Sequence, residues 1–102
     1  MKENLFTSTK TVFAACLKTM KVKNNDYAGE ERRGGLRNFE LSAEVSGTTV
    51  QQGILTRLMD KMTRVGNLLS QEAAVKDESI EDTIKDAINY CAILLYSVKN
   101  AR

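Results

Sequence analysis

The chain has 102 residues, fifteen of them Lys or Arg and thirteen Asp or Glu, with six Gly, two Cys and no His, Pro or Trp. A net charge of +2 is too small for the electrostatic footprint of a dedicated nucleic-acid binder. The missing histidine removes the usual general base near neutral pH and the commonest zinc ligand, which sets aside hydrolytic triads and zinc chemistry.

Residues 4–23 place Phe6, Phe13, Leu17 and Met20 on one side of a helical wheel and Lys10, Lys18 and Lys21 elsewhere, which predicts an amphipathic helix. In 23–35, KNNDYAGEERRGG, the apolar period stops and Asn, Asp and Gly accumulate, so this is the principal loop. Residues 36–45 set Leu36, Phe39 and Ala43 at helical spacing and predict a short helix docked by the Phe39 ring. Capping residues at 46–49 then precede the strongest pattern, Val50, Ile54, Leu58, Met62, Val65 and Leu69, expected to run to about Ser70. Its flank carries Arg57, Asp60, Lys61 and Arg64 within two turns. After a connector at 71–76, Asp77 is the expected cap of a last helix, with Glu78 and Glu81 in its positive first turn. Ile80, Ile84, Ala87, Ile88, Cys91 and Leu95 form its apolar side. From 91 to 98 it is apolar almost all round, which predicts burial by other helices or by a second subunit.

The expected class is all-α: a small bundle of three long helices and one short one in a single domain, 1–102. A chain this short encloses little core by itself, so completion by homo-oligomerisation is expected. Cys16 and Cys91 sit beside apolar residues in helical patterns and read as buried, reduced thiols of a cytoplasmic protein. The longest apolar run, 91–96, is far short of the ~20 residues that span a bilayer, so no membrane partner is expected.

Glu78, Asp82, Asp86 and Asn89 fall at steps of four, four and three, stacked along one stripe of the last helix. Such a stripe meets solvent, a divalent metal, or cationic side chains of a neighbouring helix. The pairing account is preferred: Arg57, Lys61 and Arg64 neutralise Asp82 and Asp86, with Asp60 and Asn89 in the same structural network. Under the metal alternative, Glu78, Asp82 and Asp86 gather Mg2+; otherwise no cofactor is expected. Arg32, Arg33 and Arg37, in and beside a loop containing Gly34 and Gly35, suit phosphate, because the planar guanidinium pairs with two oxygens at once. Arg57, Lys61 and Arg64 are available from the third helix, and Tyr27 reads as a surface or ligand-stacking residue. A solvated basic loop is the competing reading, since neither GxGxxG nor GxxxxGK[ST] is present.

Several of these segments together resemble a known family: NDYAG at 25–29, NF at Asn38 and Phe39, GILTRLMDKMTR at 53–64, and DESIEDTIKDAINYCAILL at 77–95. They are similar to the nucleotide modification associated domain, type one, common in bacteriophage genomes. The resemblance spans about three quarters of the chain, most specifically through RxxDKxxR at Arg57 to Arg64 and the Glu78, Asp82, Asp86, Asn89, Tyr90 series. Between Gly29 and Asn38 the chain departs from it, with EERRGGLR in place of a Pro-Phe element. A looser similarity is to all-α nucleoside triphosphate pyrophosphatases of the MazG and dimeric dUTPase type, whose paired acidic motifs hold magnesium. Here the third helix offers only Asp60, so half of that cage is missing.

The resemblance implies a nucleotide-like ligand more firmly than a reaction. The leading expectation is a phage-type binder, not an enzyme, that holds a nucleotide-derived phosphate compound. Such a protein acts as an anti-defence sponge for a host immune signal in the cytoplasm of the infected bacterium. The alternative is a Mg-dependent nucleotide pyrophosphatase or nucleotide-modifying enzyme using Glu78, Asp82 and Asp86. A third reading is a helical module that binds a host protein.

Overall fold

The computed structural model describes residues 3–23, 36–71 and 78–101, with side chains in the last stretch from Ile80 onward. Four helices make up the described fold, all-α as expected: α1 (Leu5–Val22), α2 (Arg37–Ser46), α3 (Val50–Leu69) and α4 (Glu78–Lys99). The expected caps Ser46 to Thr49 divide into a stop and a start. Gly47 ends α2 in the left-handed region, φ 70°, where a β-carbon is disfavoured, and Thr48 N–H donates to the Ala43 carbonyl at 3.0 Å. Thr49 then opens α3 with a capping box: its hydroxyl accepts from Gln52 N–H at 3.1 Å while its own N–H donates to Gln52 Oε1 at 3.0 Å. Asn4 caps α1 by accepting from Phe6 N–H at 2.7 Å. The proposed cap Asp77 lies outside the described residues.

The two longest helices, α3 and α4, pack side by side and antiparallel. Their register is legible in three polar contacts. Gln51 Nε2 donates to Ser97 Oγ at 2.7 Å near one end, Lys61 Nζ meets Asp86 Oδ2 at 3.3 Å, and Arg64 Nε donates to Thr83 Oγ1 at 3.2 Å toward the other. Ile54 is completely withdrawn from solvent, and Val65, Ile80, Ala87 and Ile93 are also buried. α2 packs on α3, burying Ala43, and α1 packs on α4. Among the described residues α1 makes no helix contact other than with α4. Two bonds centred on Cys16 tie it there: Asn89 Nδ2 donates to the Cys16 carbonyl at 3.0 Å, and the Cys16 thiol donates to the Lys85 carbonyl at 3.7 Å. Burial pushes the Cys16 thiol above its ordinary pKa; Lys85 opposes that shift and Asp86 adds to it.

Burial differs from the sequence expectation in a consistent way. On α1, Phe6, Phe13 and Leu17 are exposed, and the buried contact is the smaller Cys16. On α3, Met62 and Leu69 are exposed although they share the apolar pattern with Ile54 and Val65. On α4, Ile84, Leu95 and Val98 are exposed, and the polar Thr83, Asn89 and Ser97 are buried instead. Cys91, expected inside, is exposed; both cysteines are free thiols. The apolar arc on each long helix is wider than one neighbour covers, so part of it remains bare within a single chain.

The Asn89 amide is 4% exposed, so removing it leaves a helix without its polar tether in a place water does not reach. An Asn89→Ala variant is expected to lose about 1–3 kcal/mol of stability in urea titration, with amide exchange rising first in α1. Unchanged stability and unchanged α1 protection would show that the tether is incidental.

Candidate functional site

All four helices contribute to one cleft. It has a volume of about 260 Å³ and is lined by Lys23, Asn38, Phe39, Ser42, Arg57 and Tyr90, with Gly53 in its wall. That volume falls just below the roughly 300 Å³ at which small-molecule pockets begin, and suits a compact guest. Helix α1 delivers Lys23 from its C-cap; α2 presents Asn38, Phe39 and Ser42 from its first two turns; α3 adds Arg57, and α4 adds Tyr90. The Phe39 and Tyr90 rings meet edge to face, 6.4 Å between centroids at 87°, an arrangement that fixes both rings at the cleft.

Two cations therefore border a concave surface that also offers an amide, a hydroxyl and an aromatic pair. Asp86 is the acid beside it. Lys61 lies 3.3 Å from one of its oxygens and Lys23 lies 3.9 Å from the other. Two ammonium groups on one carboxylate leave the neighbourhood net positive, and Arg57 adds a further charge. This composition favours an anionic guest.

The residues expected from sequence divide into three groups. Arg57 lines the cleft. Lys61 and Arg64 face α4, where Lys61 pairs with Asp86. Arg64, however, bonds the buried Thr83 and not Asp82, because Thr83 is the residue that α4 turns onto α3. Asp82 and Asp60 are exposed and make no ion pair among the described residues, so the expected network contracts to Lys61, Lys23 and Asp86. Asn89, expected in that network, instead donates to a backbone carbonyl of α1. Arg37 opens α2 on the exposed surface and does not line the cleft. Tyr27, Arg32, Arg33 and the side chain of Glu78 lie outside the described residues.

Lys23 and Ser42 were not legible as site residues, and Asn38 enters the sequence reading only through its NF pair. Lys23 sits where a helix stops and Ser42 is a lone hydroxyl in a short helix, so neither is marked by a motif. Among the described residues no three acidic, histidine or cysteine side chains gather closely enough to hold a metal, and Asp86 already faces two ammonium groups. The described residues do not fit a magnesium cage.

No family model, curated protein or solved structure matches this chain. Its resemblance to the phage family therefore rests on the residues quoted for it. Among the described residues, no helix is long and apolar enough to cross a membrane.

Gly53 connects the cleft to stability. It lies inside α3, where glycine is unfavourable relative to alanine, yet a β-carbon built there meets nothing within 4 Å. No packing neighbour requires the glycine; the cleft uses the space. Gly53→Ala is expected to raise stability by about 0.5–1 kcal/mol in thermal or urea unfolding. A destabilised variant would mean that the wall is more tightly packed than this geometry allows.

Proposed function

We propose that this chain is a phage-type, non-enzymatic protein that binds a nucleotide-derived, phosphate-bearing small molecule in the four-helix cleft and sequesters it, as a sponge sequesters a host immune signal. One observation carries the reading: Arg57 and Lys23 border the same concavity as the Phe39–Tyr90 ring pair, so phosphate and base have complementary groups within one small cleft. Guanidinium and ammonium groups supply charge-assisted hydrogen bonds to phosphate oxygens, and Asn38 and Ser42 supply neutral ones. Sequestration needs such complementarity and no activated nucleophile. The resemblance to the nucleotide modification associated family points to the same ligand class. Arg32 and Arg33 belong to the segment that leaves α1 at Lys23 and rejoins the described chain at Leu36.

The experiment is to mix purified protein with a panel of mononucleotides, cyclic dinucleotides and ADP-ribose derivatives, remove free ligand, release bound ligand by heating, and identify it by mass spectrometry. Recovery of intact ligand is expected. Arg57→Ala should weaken binding by about tenfold or more, the value of one charge-assisted contact, while the circular dichroism spectrum is unchanged. Recovery of cleaved product would replace this reading with the pyrophosphatase one, and no retention of any phosphate compound would overturn both.

A further inference from the structure

The cleft, α1 and α2 all lie on one side of the α3–α4 hairpin, the side to which Arg57, Lys61 and Arg64 turn on α3 and Asp86 and Asn89 turn on α4. The opposite side is covered by neither helix, and its composition is unusual. On α3 it presents Leu55, Met59, Met62, Gly66 and Leu69, at steps of four, three, four and three. On α4 it presents Ile84, Ile88, Cys91, Leu95 and Val98, at the same steps. Neither row contains a charged or hydrogen-bonding polar residue other than the Cys91 thiol. Leu55, Met59, Met62, Leu69, Ile84, Leu95 and Val98 are 41–60% exposed in the single chain, so each is half bedded in the hairpin and half bare.

Spacing of four and three on two adjacent antiparallel helices is the pattern of an interhelical seam, and two such rows side by side form the inner face of half a four-helix bundle. The other half has the same requirement, and this chain supplies it. The seven bare residues expose on the order of 650 Å² per copy, within the roughly 600–1,000 Å² that a standard specific interface buries on each side and at the upper end of the apolar patches of monomers. Gly66 sits within its row with nothing within 4 Å of a built β-carbon, which leaves room for a helix of the opposing copy. The exposed row on α1, Phe6, Phe13 and Leu17, is narrower: it belongs to one helix and is interrupted by Lys10.

We infer that two copies of this chain associate about a two-fold axis through the bare face of the α3–α4 hairpin, forming a four-helix bundle from α3 and α4 of each copy. A symmetric contact of this kind is self-complementary, so one patch serves both partners. The clefts then lie on the two outer sides of the assembly, each complete within its own chain. This inference stands independently of what the cleft binds.

Light scattering after size exclusion, at about 100 µM, should give twice the mass of one chain. Leu95→Glu and, separately, Met59→Lys should each give one chain mass with helical circular dichroism retained, because both side chains are already half exposed in the monomer. Phe13→Glu, on the other side, should leave the doubled mass intact. Cys91 offers a readout that needs no variant: its maleimide labelling rate should fall as protein concentration rises. A monomeric wild type, an assembly of another size, a dimer that survives both hairpin variants, or one abolished by Phe13→Glu would each overturn the inference. Should both hairpin variants unfold, the labelling decides: a rate independent of concentration overturns it, and a falling rate supports it.

Discussion

Ile54, fully withdrawn from solvent at the seam between α3 and α4, marks the contact on which the remainder of the molecule is assembled. The helices flanking this pair have little hold of their own. α2 is short and packs on α3, and α1 packs on α4 through Cys16 and the Asn89 amide. Neither would be positioned without the hairpin, and Arg57 and Tyr90 reach the same cleft only because the α3–α4 register brings their turns level. Burial of apolar area along that seam is the dominant favourable contribution in a chain of this size, with polar contacts such as Gln51 to Ser97 selecting the register.

The ion pair between Lys61 and Asp86 belongs to selection and orientation more than to stability. Both side chains are about a third exposed, 33% and 27%, and pairs that retain such contact with water contribute roughly 0–1 kcal/mol. Its consequence is local. With Lys61 beside it and Lys23 shared with the cleft, Asp86 neutralises part of the positive charge there without reversing its sign. The proposed anionic ligand therefore meets Arg57 and Lys23 on a surface where the nearby carboxylate is already engaged.

Much of the secondary structure was legible in the sequence because helix-forming signals are local. The helical periods and the capping residues at 46–49 depend on residues a few positions apart; that the latter divide into a Gly47 stop and a Thr49–Gln52 capping box emerged only from the structure. Which part of each apolar arc is buried was only partly legible: Ile54, Val65, Ile80 and Ala87 belong to the expected apolar rows and are buried, whereas other members of the same rows are bare. Met62 and Ile54 are equally apolar in the sequence, and only the direction of the α4 contact separates the buried row from the bare one. The same applies to α4, where a reading by polarity placed Asn89 on an outer stripe and Leu95 inside, the reverse of their positions. Of the cleft, Arg57 was legible because it shares a charge cluster with Lys61 and Arg64. Lys23 and Ser42 come from α1 and α2, and their meeting depends on tertiary packing that no spacing rule encodes.

The most direct test of this account is the stability of an Ile54→Ala variant, followed by urea unfolding together with hydrogen exchange across all four helices. A loss of about 2–5 kcal/mol is expected, the range for emptying a packed aliphatic site, with protection falling in α1 and α2 along with the hairpin. A loss below about 1 kcal/mol, or a change in exchange confined to α3, would contradict the claim that this seam organises the fold and its cleft.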